Sequence, residues 1–342
     1  MPAVCSGKIL VTGANGYVAT WIVRMLLGQG FTVRGTVRSE AKAVSLREEF
    51  TQDSDRLEIV VVEDMTKAGA FDEVVDGIDA IMHTASPLHY NAMEPSEIIV
   101  PAVLGTTRVL ESALAHGNLV KRIVITSSCA SVMQVQDTPR VFSESDWNDA
   151  ALAEVEEKGV LATQQTKYRA SKILAERAAW EFTKENKDNI SWDLVVLNPP
   201  YVFGPPIGRT ATLESLSESL RDWYRNIFQG GKTPEELPVV GQCWIDVRDL
   251  ADAHILAMNK QEAGGERIVV YGGPFKWQDW VNAARGCGAA VPLGDKSYDP
   301  AKAAHYVLYD TSRAARLLDI KYRTIMECTR DTIEDFKGRG WI

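Results

Sequence analysis

Short aliphatic and β-branched runs alternate along the first part of the chain with longer segments whose apolar residues recur every three or four positions. The runs Lys8 to Thr12, Phe31 to Val37, Leu57 to Val62, Ala80 to His83, Arg122 to Thr126 and Trp192 to Leu197 predict strands. The segments between them, including Thr20 to Leu27, Ala41 to Phe50 and Pro95 to His116, predict helices. Strands that alternate with helices pair in parallel through crossovers, so the pattern predicts an α/β fold with a doubly wound parallel sheet. Ile59-Val60-Val61-Val62 has no polar alternation, as expected of a strand covered on both faces. Pro101 is expected to break or kink the helix at Pro95 to His116, and Asp137 to Thr166 to run as a partly irregular, acid-rich surface excursion.

The first strand stops at a glycine, and Gly13-Ala14-Asn15-Gly16-Tyr17-Val18-Ala19 leads into the first helix. This strand, loop and helix form a phosphate cradle. Gly13 and Gly16 lack the Cβ that would keep a pyrophosphate away from the backbone, and the helix N-terminus aims unpaired N–H groups at the anion. The spacing is G-x-x-G-x-x-A, altered from the G-x-G-x-x-G dinucleotide fingerprint in its first interval. At the end of the second strand a free ribose hydroxyl calls for an acid and a 2′-phosphate for cations. Arg38 stands there with Lys42 one turn on, which favours NADP over NAD, although Glu40 lies beside them. Asp64-Met65 and Thr84-Ala85-Ser86 close the third and fourth strands, where such sheets bind ligands; the first pair is a candidate for the adenine and the second group for the middle of a dinucleotide.

The 342 residues are 45% hydrophobic, enough for one large or two ordinary domains. A formal net charge of −9 argues against general nucleic-acid binding, which needs a basic stripe. The five cysteines are scattered without a C-x-x-C pair, so neither a zinc site nor a disulfide framework is expected and a reducing compartment is. His83, His116 and His254 read as structural, because nothing completes a metal set. With no secretory signal and no run read as a bilayer span, the expectation is a cytoplasmic protein without membrane contact.

Tyr168-Arg169-Ala170-Ser171-Lys172 lies on the next helical segment, and a tyrosine and lysine four apart share one helix face. A nearby ammonium and an oxidised nicotinamide would favour phenolate and bring the tyrosine toward working pH. Ser127-Ser128 ends the fifth strand, where neighbours point to opposite faces and only one hydroxyl reaches the site. Tyr-x-x-x-Lys alone arises by chance on many helices. The glycine loop, strand-end serine and Tyr/Lys helix in this order are far more specific.

With these motifs, and with Asn198-Pro199-Pro200-Tyr201-Val202-Phe203-Gly204-Pro205 and Trp244-Ile245-Asp246-Val247-Arg248-Asp249, the chain resembles the extended short-chain dehydrogenase/reductase family over nearly its whole length. It is most similar to the branch of dihydroflavonol reductases, cinnamoyl-CoA reductases and fungal aldehyde/ketone reductases, a placement that Pro101 supports. The resemblance implies a Rossmann domain at 1–198, to which 242–263 returns, and a smaller substrate lobe from 199–241 and 264–342. It implies Ser128, Tyr168 and Lys172 as the catalytic set, Arg38 on the 2′-phosphate and Pro199 against the nicotinamide through its backbone. Gly13, Asn15, Gly16, Tyr17, Val18, Lys42, Asp64, Met65, Thr84, Ala85, Ser86 and Val202 complete the expected cofactor site.

Met133 stands where dihydroflavonol reductases carry asparagine, which argues against flavonoids, and the Asn-Trp-Tyr-Cys-Tyr signature of plant cinnamoyl-CoA reductases is absent. Cys129-Ala130 replaces the acidic pair of sugar dehydratases. Leu88, Met133, Tyr201, Trp223, Phe228 and Gln242 are the expected walls of a mostly apolar pocket, and Asp249 and Asp252 are expected to cap or salt-link a short helix that they precede. The expected activity is NADPH-dependent reduction of aldehydes or ketones to chiral alcohols, by a monomer or homodimer acting on a small carbonyl compound. The alternatives are oxidation of a hydroxylated metabolite such as a sterol, and a non-catalytic NADPH sensor.

Overall fold

The structure, a computed structural model, describes residues 3–86, 91–208 and 212–342. The chain opens with β1 (Lys8–Thr12), α1 (Tyr17–Gly28), β2 (Thr32–Val37), α2 (Glu40–Glu49), β3 (Leu57–Val61) and β4 (Ala80–His83). There follow α3 (Ser96–His116), β5 (Arg122–Thr126), β6 (Arg140–Phe142), α4 (Asp149–Lys158), α5 (Gln164–Glu185) and β7 (Asp193–Asn198). Beyond these lie β8 (Tyr201–Phe203), α6 (Glu218–Phe228), β9 (Gly241–Asp246), α7 (Val247–Asn259), β10 (Arg267–Val269) and β11 (Gly273–Lys276). The chain closes with α8 (Trp277–Gly286), β12 (Val307–Tyr309), α9 (Ser312–Leu318) and α10 (Ile325–Gly338).

Seven strands form one parallel sheet in the order β10-β7-β5-β4-β1-β2-β3. The order reverses between β1 and β4, and ligands of doubly wound sheets sit in the crevice opened there at the strands' carboxyl ends. Strand residues such as Ile9, Val11, Ile81 and Val124 are fully buried because helices cover both faces. On one side α1, α7 and α9 contribute Ile22, Leu26, Leu250, Met258 and Leu317 to the core; on the other α3 supplies Val109 and Leu110.

The helix α3 runs through Pro101 without interruption. By length and composition it is apolar enough to cross a bilayer, which the sequence reading did not anticipate. In the fold its Ile98, Ala102, Gly105, Val109 and Ala113 face inward, and Met65 packs against Gly105, where a Cβ would lie 2.2 Å from the methionine methyl carbon. The stretch read as an irregular excursion holds β6 and α4. Its Phe142 is fully buried, and β6 pairs in parallel with the distant β12.

The lobe boundaries drawn from sequence also shift. β10 lies beyond 263 and still edges the main sheet, and α9 packs into that domain's core. β9, by contrast, belongs to a separate sheet in the order β11-β9-β8. The C-terminal lobe is organised by edge-to-face aromatic pairs, with Trp280 4.8 Å from Trp244 and 5.1 Å from Phe203 between ring centroids. Asp246 caps α7 by accepting the Arg248 N–H at 2.8 Å. Asp249 and Asp252 lie inside that helix and do not precede it; Asp249 salt-links it to Arg323, as one of the two expected roles has it, and the capping falls to Asp246.

Candidate active site

A cleft of about 820 Å³ opens along the carboxyl edge of the sheet. At one end Gly13 has φ +64°, and a Cβ there would lie 3.2 Å from the Cα and Cβ of Ala85. The Gly16 N–H bonds the Gly13 carbonyl at 2.8 Å, which closes the turn. The opposite wall is fixed by Thr12, whose hydroxyl accepts the N–H groups of Thr84 and Ala85, each at 3.1 Å, while the Thr84 hydroxyl donates to the Thr12 carbonyl at 2.6 Å. The result is a narrow slot beside the N-terminus of α1, which fits a dinucleotide pyrophosphate.

Tyr17, Val18, Thr84, Ser86, Pro199 and Val202 join Gly13 and Gly16 in the cleft wall. The Tyr17 hydroxyl donates to the Gly204 carbonyl at 2.7 Å, tying α1 to the loop after β8. Asn15 is exposed and Ala85 stands behind Gly13; neither lines the described cleft. Asp64 is occupied by its own turn, accepting from the Thr66 N–H and hydroxyl at 2.9 and 2.6 Å, and Met65 is packed against α3. Arg38 and Lys42 are exposed and make no hydrogen bond or ion pair among the described residues. Glu40 turns instead to Arg47 at 2.6 Å, which leaves the two cations uncompensated.

At the other end of the cleft, Ser128, Tyr168 and Lys172 share one wall. Ser128 follows β5, accepts the Ala130 N–H at 3.1 Å and is hydrogen-bonded to the Tyr168 phenol. Its neighbour Ser127 points away and donates to Glu176 at 2.5 Å. Burial pushes the Tyr168 phenol up to about 12, against the pull of the Ser128 hydrogen bond. The expected lowering of the tyrosine toward working pH is therefore absent in the protein alone, because desolvation of the phenolate outweighs what its neighbours offer. Burial brings the Lys172 ammonium down to about 8, with Glu176 opposing. His83 is fully enclosed, its Nδ1 3.0 Å from the Thr12 hydroxyl, and burial drives it down to about 3, so it stays neutral.

Of the residues expected to wall the substrate pocket, Met133, Tyr201 and Gln242 line the cleft, while Leu88 lies outside the described residues. Trp223 and Phe228 do not. Trp223 is buried in the aromatic core, 6.1 Å from Trp280 and 6.0 Å from Phe228 between ring centroids. The reason is the orientation of α6: Leu220, Trp223 and Ile227 face the core, and the opposite stripe of Glu218, Arg221, Asp222 and Arg225 faces the cleft. Choosing aromatic residues as pocket walls selected the wrong face of an amphipathic helix.

The family described as the NAD dependent epimerase/dehydratase family matches residues 9–272. The chain belongs to that family. Ketoreductase azaE of Aspergillus niger is 34% identical over 338 residues, covering 95% of this chain and 96% of the relative. NADPH-dependent methylglyoxal reductase GRE2 of Saccharomyces cerevisiae is 32% identical over 348 residues, covering 97% and 99%. The crystal structure of yeast methylglyoxal/isovaleraldehyde reductase Gre2 complexed with NADPH superposes with a TM-score of 0.84 at 30% identity, covering 98% of this chain and 100% of that one. The extended short-chain dehydrogenase/reductase assignment made from the motifs is the same family.

Two features of this epimerase/dehydratase-family site escaped the sequence reading. Arg169 and Gln165 line the cleft beside Tyr168, and their signal was the helical period itself, since α5 faces the cleft over more than the Tyr/Lys stripe. The second is a buried ion pair beneath the site, Glu176 with Arg267 at 2.5 Å, foreshadowed only by a glutamate one turn after Lys172.

Proposed function

We propose that the chain is an NADPH-dependent reductase that converts aldehydes or ketones to alcohols. The observation that carries this reading is the meeting of Ser128, Tyr168 and Lys172 in one cleft whose far end is the glycine slot of α1. Arg38 and Lys42, free of carboxylate partners among the described residues, suit the 2′-phosphate that separates NADPH from NADH. NADPH, when bound, supplies the hydride that adds to the carbonyl carbon. Tyr168 donates the proton to the carbonyl oxygen, Ser128 polarises that oxygen through its hydroxyl, and Lys172 holds the ribose and steadies the phenol electrostatically.

Burial keeps the Tyr168 phenol protonated at neutral pH, the state from which a proton is given to a carbonyl oxygen. The relatives' printed activities, on methylglyoxal and isovaleraldehyde among others, agree with a small carbonyl substrate. The test is loss of NADPH absorbance with a panel of simple aldehydes and ketones. Turnover with some of them is expected. Tight NADPH binding with silence toward every carbonyl would instead make the chain a cofactor sensor.

A further inference from the structure

The charged stripe of the cleft is not balanced. On α6, Arg221 lies 3.3 Å from Glu218, and Arg225 is paired with Asp222, so each guanidinium there has its own carboxylate. Arg169 lines the same cleft from α5, next in sequence to Tyr168, and acts electrostatically on the Tyr201 phenol against the larger opposing effect of Asp222, the carboxylate already paired with Arg225. It makes no hydrogen bond or ion pair among the described residues. Arg169 is also half-buried, whereas Arg221 and Arg225 are exposed. A guanidinium partly withdrawn from water is costly without an anion, and its planar fork matches a carboxylate.

Resting on the reductase reading above, we propose that Arg169 is a specificity residue that binds the carboxylate of an oxo acid whose carbonyl is held by Ser128 and Tyr168. The substrate class is then carbonyl compounds carrying a carboxylate at the end of the chain remote from the reduced carbon. The reaction is unchanged: hydride from NADPH adds to the carbonyl carbon, the C=O π pair moves to oxygen, and that oxygen takes the Tyr168 proton. The carboxylate neither gains nor loses a bond. Met133 and Tyr201, which wall the same cleft, give the intervening carbons apolar contact.

The test compares 4-oxobutanoate and 6-oxohexanoate with their methyl esters, on the wild-type protein and on Arg169→Gln and Arg169→Lys. A charge-assisted hydrogen-bonded pair corresponds to about 10- to 100-fold in affinity. The wild type is expected to favour the acid by that order in kcat/KM for at least one chain length, mainly through KM, with the preference shrinking as salt is added. Arg169→Gln should erase the preference by lowering kcat/KM for the acid far more than for the ester, and Arg169→Lys should restore part of it. Esters favoured at every length, or acid and ester turnover falling together in Arg169→Gln, would overturn the anion site alone. Absence of turnover with acids, esters and simple aldehydes together would overturn the reductase reading on which it rests.

Discussion

The Lys172 Nζ stands 5.9 Å from the centre of the Tyr168 ring, one turn further along α5. Burial moves the two groups apart on the pH scale, the phenol up to about 12 and the ammonium down to about 8. At neutral pH both keep their protons, so a proton donor stands beside a cation. The lysine gives way first as pH rises.

If Lys172 acts as proposed, on the cofactor ribose through its charge, kcat/KM for carbonyl reduction should stay level through neutral pH and fall above about 8, as that charge is lost. The tyrosine adds no break in this range, because its phenol remains protonated. A pH profile at saturating NADPH and low substrate checks this. A rate level through the alkaline range would remove Lys172 from any charged role.

Tyr168→Phe deletes one hydroxyl and leaves the ring that packs in the cleft wall. Turnover should fall by about 10²- to 10⁴-fold, the usual worth of a positioned proton donor, while NADPH still binds. Steady-state rates beside NADPH fluorescence titration separate the two effects. Unchanged turnover would transfer proton donation to another group.

Arg38→Asp should weaken NADPH far more than NADH, since a carboxylate at the end of β2 repels a 2′-phosphate and accepts from a ribose hydroxyl. Glu40 will not mask the result, because it is engaged with Arg47. Titrating both cofactors against both proteins gives the ratio directly. Equal loss of the two would show that the cation acts on something other than the phosphate.

The core of the dinucleotide domain was legible because each of its strands is a short apolar run between helical periods. β1, β4 and β5 begin and end at the residues read from sequence. What stayed hidden depends on contacts between distant segments. β6 pairs with β12 across more than a hundred and sixty positions, and no local pattern registers that pairing. The α6 residues failed for another reason: Trp223 and Arg225 both belong to an amphipathic helix, and the sequence cannot say which of its faces meets the core and which the cleft. The catalytic candidates were legible because their chemistry is rare in combination, whereas the pocket walls are ordinary residues given a role by packing.

Glu176 sits one turn beyond Lys172 with no side-chain exposure, and its partner Arg267 is 7% exposed. One carboxylate oxygen faces the Arg267 guanidinium at 2.5 Å, and the other accepts from Ser127, Ser131 and Asn198 at 2.5, 2.6 and 2.9 Å. These donors bracket Ser128 in the chain, so the pair anchors the turn that presents it. Arg267→Met leaves the carboxylate without its counter-charge and should destabilise the fold by about 3–5 kcal/mol. The deficit should shrink at acidic pH, because an isolated buried carboxyl has a raised pKa, takes up a proton in the folded state and so gains stability as pH falls. Adding Glu176→Gln removes the charge while keeping an amide within reach of the same hydroxyls, and should recover much of the loss at neutral pH. Urea midpoints of the wild type, the single variant and the double variant at two pH values check this, and equal midpoints for the two variants would mean that Arg267 stabilises the fold through Trp147, over whose ring it lies 3.8 Å from the centroid, and not through Glu176.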